Sequence, residues 1–148
     1  MLQVALLDIR SCANVGNILR TAKAFEFSQI HLIGTTPSHN RKEVQKVALG
    51  GEINKFYYYK TWSEFIVKNS NSNIIAIETG GQKLYSYKPK KENIILVLGT
   101  ERAGLSEAEL KDCTTVLSVN HAMKKIKSLN VASAFAIASS YFYNHLSD

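Results

Sequence analysis

Three short segments hold the residue types from which a reactive or ligand-binding site can be built. One is Ser128-Leu129-Asn130-Val131-Ala132, a junction between two very different stretches. Upstream lies His121-Ala122-Met123-Lys124-Lys125-Ile126-Lys127, polar and lysine-rich; downstream, Val131 to Phe142 is small and apolar almost throughout. Ser128 is expected to cap the helix that starts here, its hydroxyl accepting from a free first-turn amide. A helix N-terminus beside cationic side chains suits an anionic or electron-rich ligand. Taken alone, the pattern is equally that of an ordinary helix start.

A second segment is Asn14-Val15-Gly16-Asn17-Ile18-Leu19-Arg20-Thr21-Ala22. It follows the first strand pattern, and so opens at the edge where open α/β sheets bind ligands. Asn14 is expected to cap its helix, with Arg20 one to two turns along and able to reach a phosphate through its planar fork of donors. Locally, a surface arginine and a capping asparagine explain the same residues more simply. The third segment, Leu98-Gly99-Thr100-Glu101-Arg102-Ala103-Gly104-Leu105-Ser106, runs from a buried strand through two glycines to a helix capped by Ser106. Glycines after a strand permit close backbone approach to a ligand. The spacing is neither that of a dinucleotide-binding loop nor that of a Walker loop. Glu101 would repel a phosphate and better suits hydroxyls, an amine or a partner arginine. A tight strand-to-helix turn is the plain alternative.

The elements that must position these segments alternate along the chain. Val4–Leu7, Ile30–Ile33, Ile74–Ile77, Ile94–Leu98 and Val116–Val119 read as buried strands, with Phe56–Tyr59 a more exposed one. Near-continuous apolar strands are what a parallel sheet covered on both faces requires. Helical patterns lie between them: Val15, Ile18, Leu19, Ala22 and Phe25 share one face, and Glu43–Leu49, Trp62–Val67 and Glu107–Lys111 supply shorter helices. The expected fold is α/β, a mostly parallel sheet with helices on both faces. Lys83–Glu92 reads as a charged connector. The final helix is apolar nearly all round, which predicts burial on several sides, most simply by a second subunit.

At 148 residues the chain is expected to form one domain, residues 1–148, with a real core. A net charge of +6 favours a polyanionic partner. No apolar run approaches bilayer length, so no membrane association is expected, and the N-terminus has no secretion signal. Cys12 and Cys113 make neither a CxxC pair nor a disulfide framework, and His31, His39, His121 and His145 lack metal-ligand spacing. A cytoplasmic protein without a structural metal is expected.

In order, the three segments resemble the signature motifs of the SPOUT methyltransferases, in the SpoU/TrmH-like branch that methylates RNA ribose 2′-hydroxyls. Asn14 to Thr21 resembles the first motif, Leu96 to Ser106 the second, and Ser128 to Ala132 the core of the third. Val47-Ala48-Leu49-Gly50-Gly51-Glu52 resembles a recurrent helix-end segment between the first two. The resemblance implies a C-terminal trefoil knot, S-adenosylmethionine bound within it, and a homodimer joined through its N- and C-terminal helices. It also implies Arg20 at the reacting hydroxyl, with Asn14, Glu101, Ser128 and Asn130 completing the catalytic site. Leu98, Gly99, Thr100, Gly104, Val119, Met123, Ser128 and Leu129 would contact the cofactor, and Arg20, Lys124, Lys125 and Lys127 the RNA. The short length of the chain favours tRNA over rRNA as the expected substrate. Where the family usually has Ile-Pro-Met and a glycine before the serine, this chain has Asn120-His121-Ala122 and Lys124. That departure keeps a second expectation open, an RNA-binding paralogue with weak or no turnover.

Overall fold

The computed structural model describes residues 1–50, 55–119, 121–122 and 128–147. Six strands of the described residues form one sheet in the order β3-β2-β1-β5-β4-β6, every neighbouring pair parallel. The strands are β1 (Leu2–Leu7), β2 (Gln29–Ile33), β3 (Phe56–Tyr59), β4 (Asn73–Lys83), β5 (Ile94–Leu98) and β6 (Thr115–Ser118). Among the described residues five helices join or follow them: α1 (Cys12–Ala24), α2 (Lys42–Ala48), α3 (Trp62–Lys68), α4 (Glu107–Lys111) and α5 (Val131–Leu146). A 3-10 turn at Leu84–Ser86 follows β4. Every residue of β1 and β5 is buried, as central parallel strands covered on both faces must be.

Alternation along the strands divides the core in two. Val4 and Leu6 of β1 join Leu96 and Leu98 of β5 beneath Ile18 and Leu19 of α1 and Phe135 and Phe142 of α5. Ala5 and Leu7 face the other way, packing with Val97, Tyr59 and Phe65 of α3, while Leu110 of α4 packs against the rim of that cluster. Helices therefore cover both faces, as the apolar runs predict. At the far edge β3 is half open, with Tyr57 and Tyr58 exposed. Gly16 lets α2 lie close on α1: a Cβ there would sit 2.6 Å from the Val47 Cβ and 2.7 Å from the Val44 carbonyl oxygen.

Several local expectations are corrected. Ser11, rather than Asn14, caps α1, its hydroxyl accepting from the Asn14 amide at 3.1 Å. A cap must stand on extended backbone outside the helix, and Asn14 is already in the first turn. Asn130, rather than Ser128, caps α5, its Oδ1 accepting from the Ala132 and Ser133 amides at 2.9 and 3.2 Å. Ser106 caps α4 as expected, in a reciprocal capping box with Glu109. The α5 helix is not buried all round within its own chain: Ala132, Phe135, Ala138 and Phe142 face inward, while Ala136, Ile137, Ser140 and Asn144 line a shallow open depression with Tyr85.

β4 departs most from its sequence pattern. Its ladder with β6 runs to Ile77, breaks, and resumes at Gln82, both residues facing Leu117. Residues 78–81 are extruded at the break, and the strand continues into what reads as a charged connector. Gly80 holds a φ of +84°, and a Cβ on Gly81 would sit 2.6 Å from the Val116 carbonyl oxygen. The Glu-Thr-Gly-Gly sequence is thus what this bulge needs. No helix among the described residues is long and apolar enough to cross a membrane.

Candidate active site

The carboxyl ends of β5 and β6 and the break in β4 open into a cavity of about 290 Å³, roofed by the N-terminus of α5. Its size is at the lower end of the range for small-molecule pockets, roughly 300–1,000 Å³. Asn14, Glu101, Ser128 and Asn130 line it, from all three sequence segments. So do Leu98, Gly99, Thr100, Gly104, Val119 and Leu129. Arg20 does not line it. That side chain is exposed on the outer stripe of α1 with Ala13 and Asn17, six residues from Asn14 and so roughly 9 Å along the helix. Met123, Lys124, Lys125 and Lys127 lie outside the described residues, as do Gly51 and Glu52.

One chain of hydrogen bonds ties the three segments together. Asn130 Nδ2 donates to Asn14 Oδ1 at 3.1 Å, and Asn14 Nδ2 donates to Glu101 Oε2 at 3.2 Å. The same carboxylate accepts the Ser11 amide at 2.8 Å and, through Oε1, the Arg10 amide at 3.1 Å. Asn130 therefore uses both ends of its carboxamide, one on its own helix and one on α1. Partial burial pushes the Glu101 carboxyl up, but the bonds from Ser11, Arg10 and Asn14 outweigh it, and the net is below its ordinary value. An anion at a helix N-terminus is also favoured by the helix dipole. Glu101 is thus held ionised with both oxygens occupied. That makes it a tether for the α1 mouth and a poor proton acceptor.

The two glycines of the second segment serve the loop itself. A Cβ on Gly99 would lie 2.5 to 2.8 Å from backbone atoms of Gly104 and Leu105. Thr100 and Gly104 pair across the turn, the Gly104 amide donating to the Thr100 carbonyl at 2.9 Å. Gly104 adopts a φ of +65°, and the space its Cβ would fill is taken by the carboxylate of Glu78. Glu78 Oε2 accepts the Leu105 amide at 2.9 Å. The close approach read from the sequence is real, but its partner is protein.

The sequence reading missed Glu78, which lines the cavity together with Ile77, Thr79, Arg102 and His121. The available signal was an acidic residue followed by two glycines at the end of an apolar strand, the same kinds of residue found around Glu101. The described residues contain no group of three or more His, Cys, Asp or Glu able to hold a metal ion. Cys113 is no nucleophile: burial, with Asp112 and Glu109 nearby, pushes its thiol up to about 12.

A parallel α/β sheet with a cavity at the carboxyl edge of its central strands, roofed by α5, is the setting in which open α/β folds bind small ligands. The chain belongs to the SpoU rRNA methylase family, whose model matches residues 1–140. No curated protein matches it in sequence. Among solved structures, an AdoMet-bound rRNA methyltransferase from Sinorhizobium meliloti is similar at a TM-score of 0.90 and 26% identity, over 99% of this chain and 57% of that one. The SpoU methyltransferase AviRb from Streptomyces viridochromogenes superposes at 0.87 with 18% identity, over 99% and 60%. A protein solved in work on 2-OH methylation of C/U34 on tRNA superposes at 0.88 with 24% identity, over 99% and 96%. At such identities the last two share the fold. The chain spans a little over half the length of the first two, and nearly all of the third. Family membership makes S-adenosylmethionine the expected cofactor.

Proposed function

We propose that this chain is an S-adenosylmethionine-dependent RNA methyltransferase that modifies a ribose 2′-hydroxyl. In this reading it is a single catalytic domain over residues 1–148 and works as a cytoplasmic homodimer on structured RNA, tRNA rather than rRNA. The SpoU family match supports the class, and the similar structure of nearly equal length, concerned with 2-OH methylation on tRNA, supports the finer reading. The net charge of +6 supports a polyanionic substrate. The open depression on α5, lined by Ala136, Ile137, Ser140 and Tyr85, supports a subunit contact there. Membership of the SpoU family supports a C-terminal trefoil knot.

The cavity's residues fit the cofactor. Ile77, Leu98, Val119 and Leu129 offer apolar walls to a flat base, and Glu78 and Ser128 offer acceptors to hydroxyl and amino donors. When bound, S-adenosylmethionine supplies a methyl group on a positively charged sulfur, open to in-line displacement. The protein must then place a weak nucleophile in line with that bond. Asn14 and Asn130 hold the mouth of the cavity in one geometry, because each is fixed at both ends of its carboxamide. Arg20 stands outside the mouth on the exposed stripe of α1, where it would meet an RNA backbone crossing the helix. A guanidinium gives up its proton only above about pH 12, so Arg20 acts by orienting the incoming ribose and phosphate at the mouth rather than as a base.

The observation that carries this reading is the bonded chain Asn130–Asn14–Glu101, which brings three distant motif segments to one cavity in a member of this family. Incubating the purified protein with methyl-labelled S-adenosylmethionine and total RNA, then digesting to nucleosides, tests it. A labelled 2′-O-methylnucleoside from the tRNA fraction is expected. Label on a base, or no incorporation into any RNA fraction, refutes it.

A further inference from the structure

The extruded residues of β4 place one more functional group at the cavity. After Ile77 the chain leaves the ladder, and the Glu78 carboxylate becomes part of the cavity wall. Its Oε2 accepts the Leu105 amide at 2.9 Å and its Oε1 the Thr79 amide at 3.2 Å. An ionised carboxylate has about four acceptor positions, so Glu78 retains capacity for donors inside the cavity. The Thr79 hydroxyl adds a long contact to Oε1 at 3.5 Å. Glu101 also takes three donors, but all of them come from the start of α1, so its carboxylate is committed to that helix.

The sheet order says which part of a ligand Glu78 would meet. Asn14 and Glu101 stand on the β1 side of β5, and Glu78 on the β4 side, two strand spacings or roughly 10 Å across. If the acceptor hydroxyl arrives past Arg20 at the Asn14–Asn130 mouth, the reacting sulfur belongs at that end. The adenosine then extends beneath α5 toward β4. Its ribose carries two adjacent hydroxyl donors, and a carboxylate with free acceptor positions is their natural partner.

We infer that Glu78 binds the ribose hydroxyl pair of the cofactor and so selects a ribonucleoside ligand, while the same carboxylate braces the Gly104–Leu105 turn. The inference rests on the methyltransferase reading of this cavity. Calorimetric titration of the full chain with S-adenosylhomocysteine and with its 3′-deoxy counterpart tests it, in the wild type and in Glu78→Ala and Glu78→Gln. The glutamine variant keeps an acceptor for the Leu105 amide, so it remains informative where alanine fails to fold. The wild type is expected to prefer the intact ribose by about tenfold, the scale of a hydrogen bond to a charged group. Both variants are expected to bring that ratio close to one, chiefly by weakening S-adenosylhomocysteine. An unchanged ratio, or equal weakening of both ligands, overturns the inference and leaves the enzyme reading standing. A wild type that binds neither S-adenosylhomocysteine nor S-adenosylmethionine overturns both.

Discussion

Replacing Asn14 with aspartate changes one heavy atom and reverses the sign of one contact. The Oδ1 that accepts from Asn130 at 3.1 Å remains, but the Nδ2 that donates to Glu101 at 3.2 Å becomes a carboxylate oxygen. Two unit charges at that separation repel by about 5 kcal/mol at an effective dielectric of 20, and by about 1 kcal/mol in water. Water reaches this rim, so the penalty should lie at roughly 1–3 kcal/mol. Its sign with pH is fixed. The new carboxylate pair holds one proton more tightly when folded than when unfolded, so stability is lost as pH rises above the ordinary carboxyl value of about 4. Below that value the introduced carboxyl is protonated, and it can donate to Glu101 and restore the bond. The difference in urea midpoint between Asn14→Asp and wild type should therefore be small near pH 4 and full at pH 8. Asn14→Ala, which removes the donor without adding charge, should show the same loss at pH 6 and pH 8, where Glu101 is ionised in both states, and no increase with rising pH. A penalty for the aspartate variant that is absent, or equal at both pH values, would refute the bonded chain across the cavity mouth.

Other parts of the molecule make comparably specific demands. His31 is buried between Gln3 and Tyr59, bonded to them at 2.7 and 2.9 Å, and burial pushes it down to about 4. Between pH 6.5 and 4 the unfolded chain binds a proton the folded chain refuses, so stability should fall by about 3 kcal/mol across that window as pH is lowered; thermal melts should show it, and His31→Gln should remove that slope. Gly16→Ala sets a methyl 2.6 Å from the Val47 Cβ and 2.7 Å from a carbonyl oxygen, and should cost about 1–3 kcal/mol in urea unfolding; an unchanged midpoint would mean that α2 shifts freely. Arg20→Ala should lower methyl transfer by about 100-fold or more, while size-exclusion chromatography shows the same elution as wild type. Near-normal turnover would remove Arg20 from the reaction.

Much of the architecture is legible in the chain because burial on both faces leaves an unmistakable record. Val4–Leu7 and Ile94–Leu98 are apolar at every position, and each is a central strand. Helix starts are harder to locate. Ser11 and Asn14 both have capping side chains three residues apart, as do Ser128 and Asn130 two apart, and only backbone conformation decides between them. In both places the residue nearer the helix body bonds across the cavity mouth. Asn14 reaches Glu101, and Asn130 caps α5 while donating to Asn14. Such double use depends on tertiary contacts between residues more than 80 positions apart, which no local pattern records. The α5 helix shows the opposite limit. Its apolar circumference is plain in the sequence, but the chain's own core covers only one side of it.

The glycines explain why the second segment fails the known phosphate-binding patterns yet still lies at a ligand cavity. In a phosphate cradle, glycines clear a path for an anion to approach backbone amides. Here Gly99 clears a path for Gly104 and Leu105, and Gly104 clears one for Glu78, whose carboxylate captures the Leu105 amide. With Glu78 on one wall and Glu101 on another, the cavity presents fixed anions where a phosphate would need donors. A ligand rich in hydroxyls and carrying positive charge is accommodated by those same carboxylates. The acidity that made the loop a poor match to nucleotide-phosphate motifs is therefore the property that suits it to an adenosyl sulfonium.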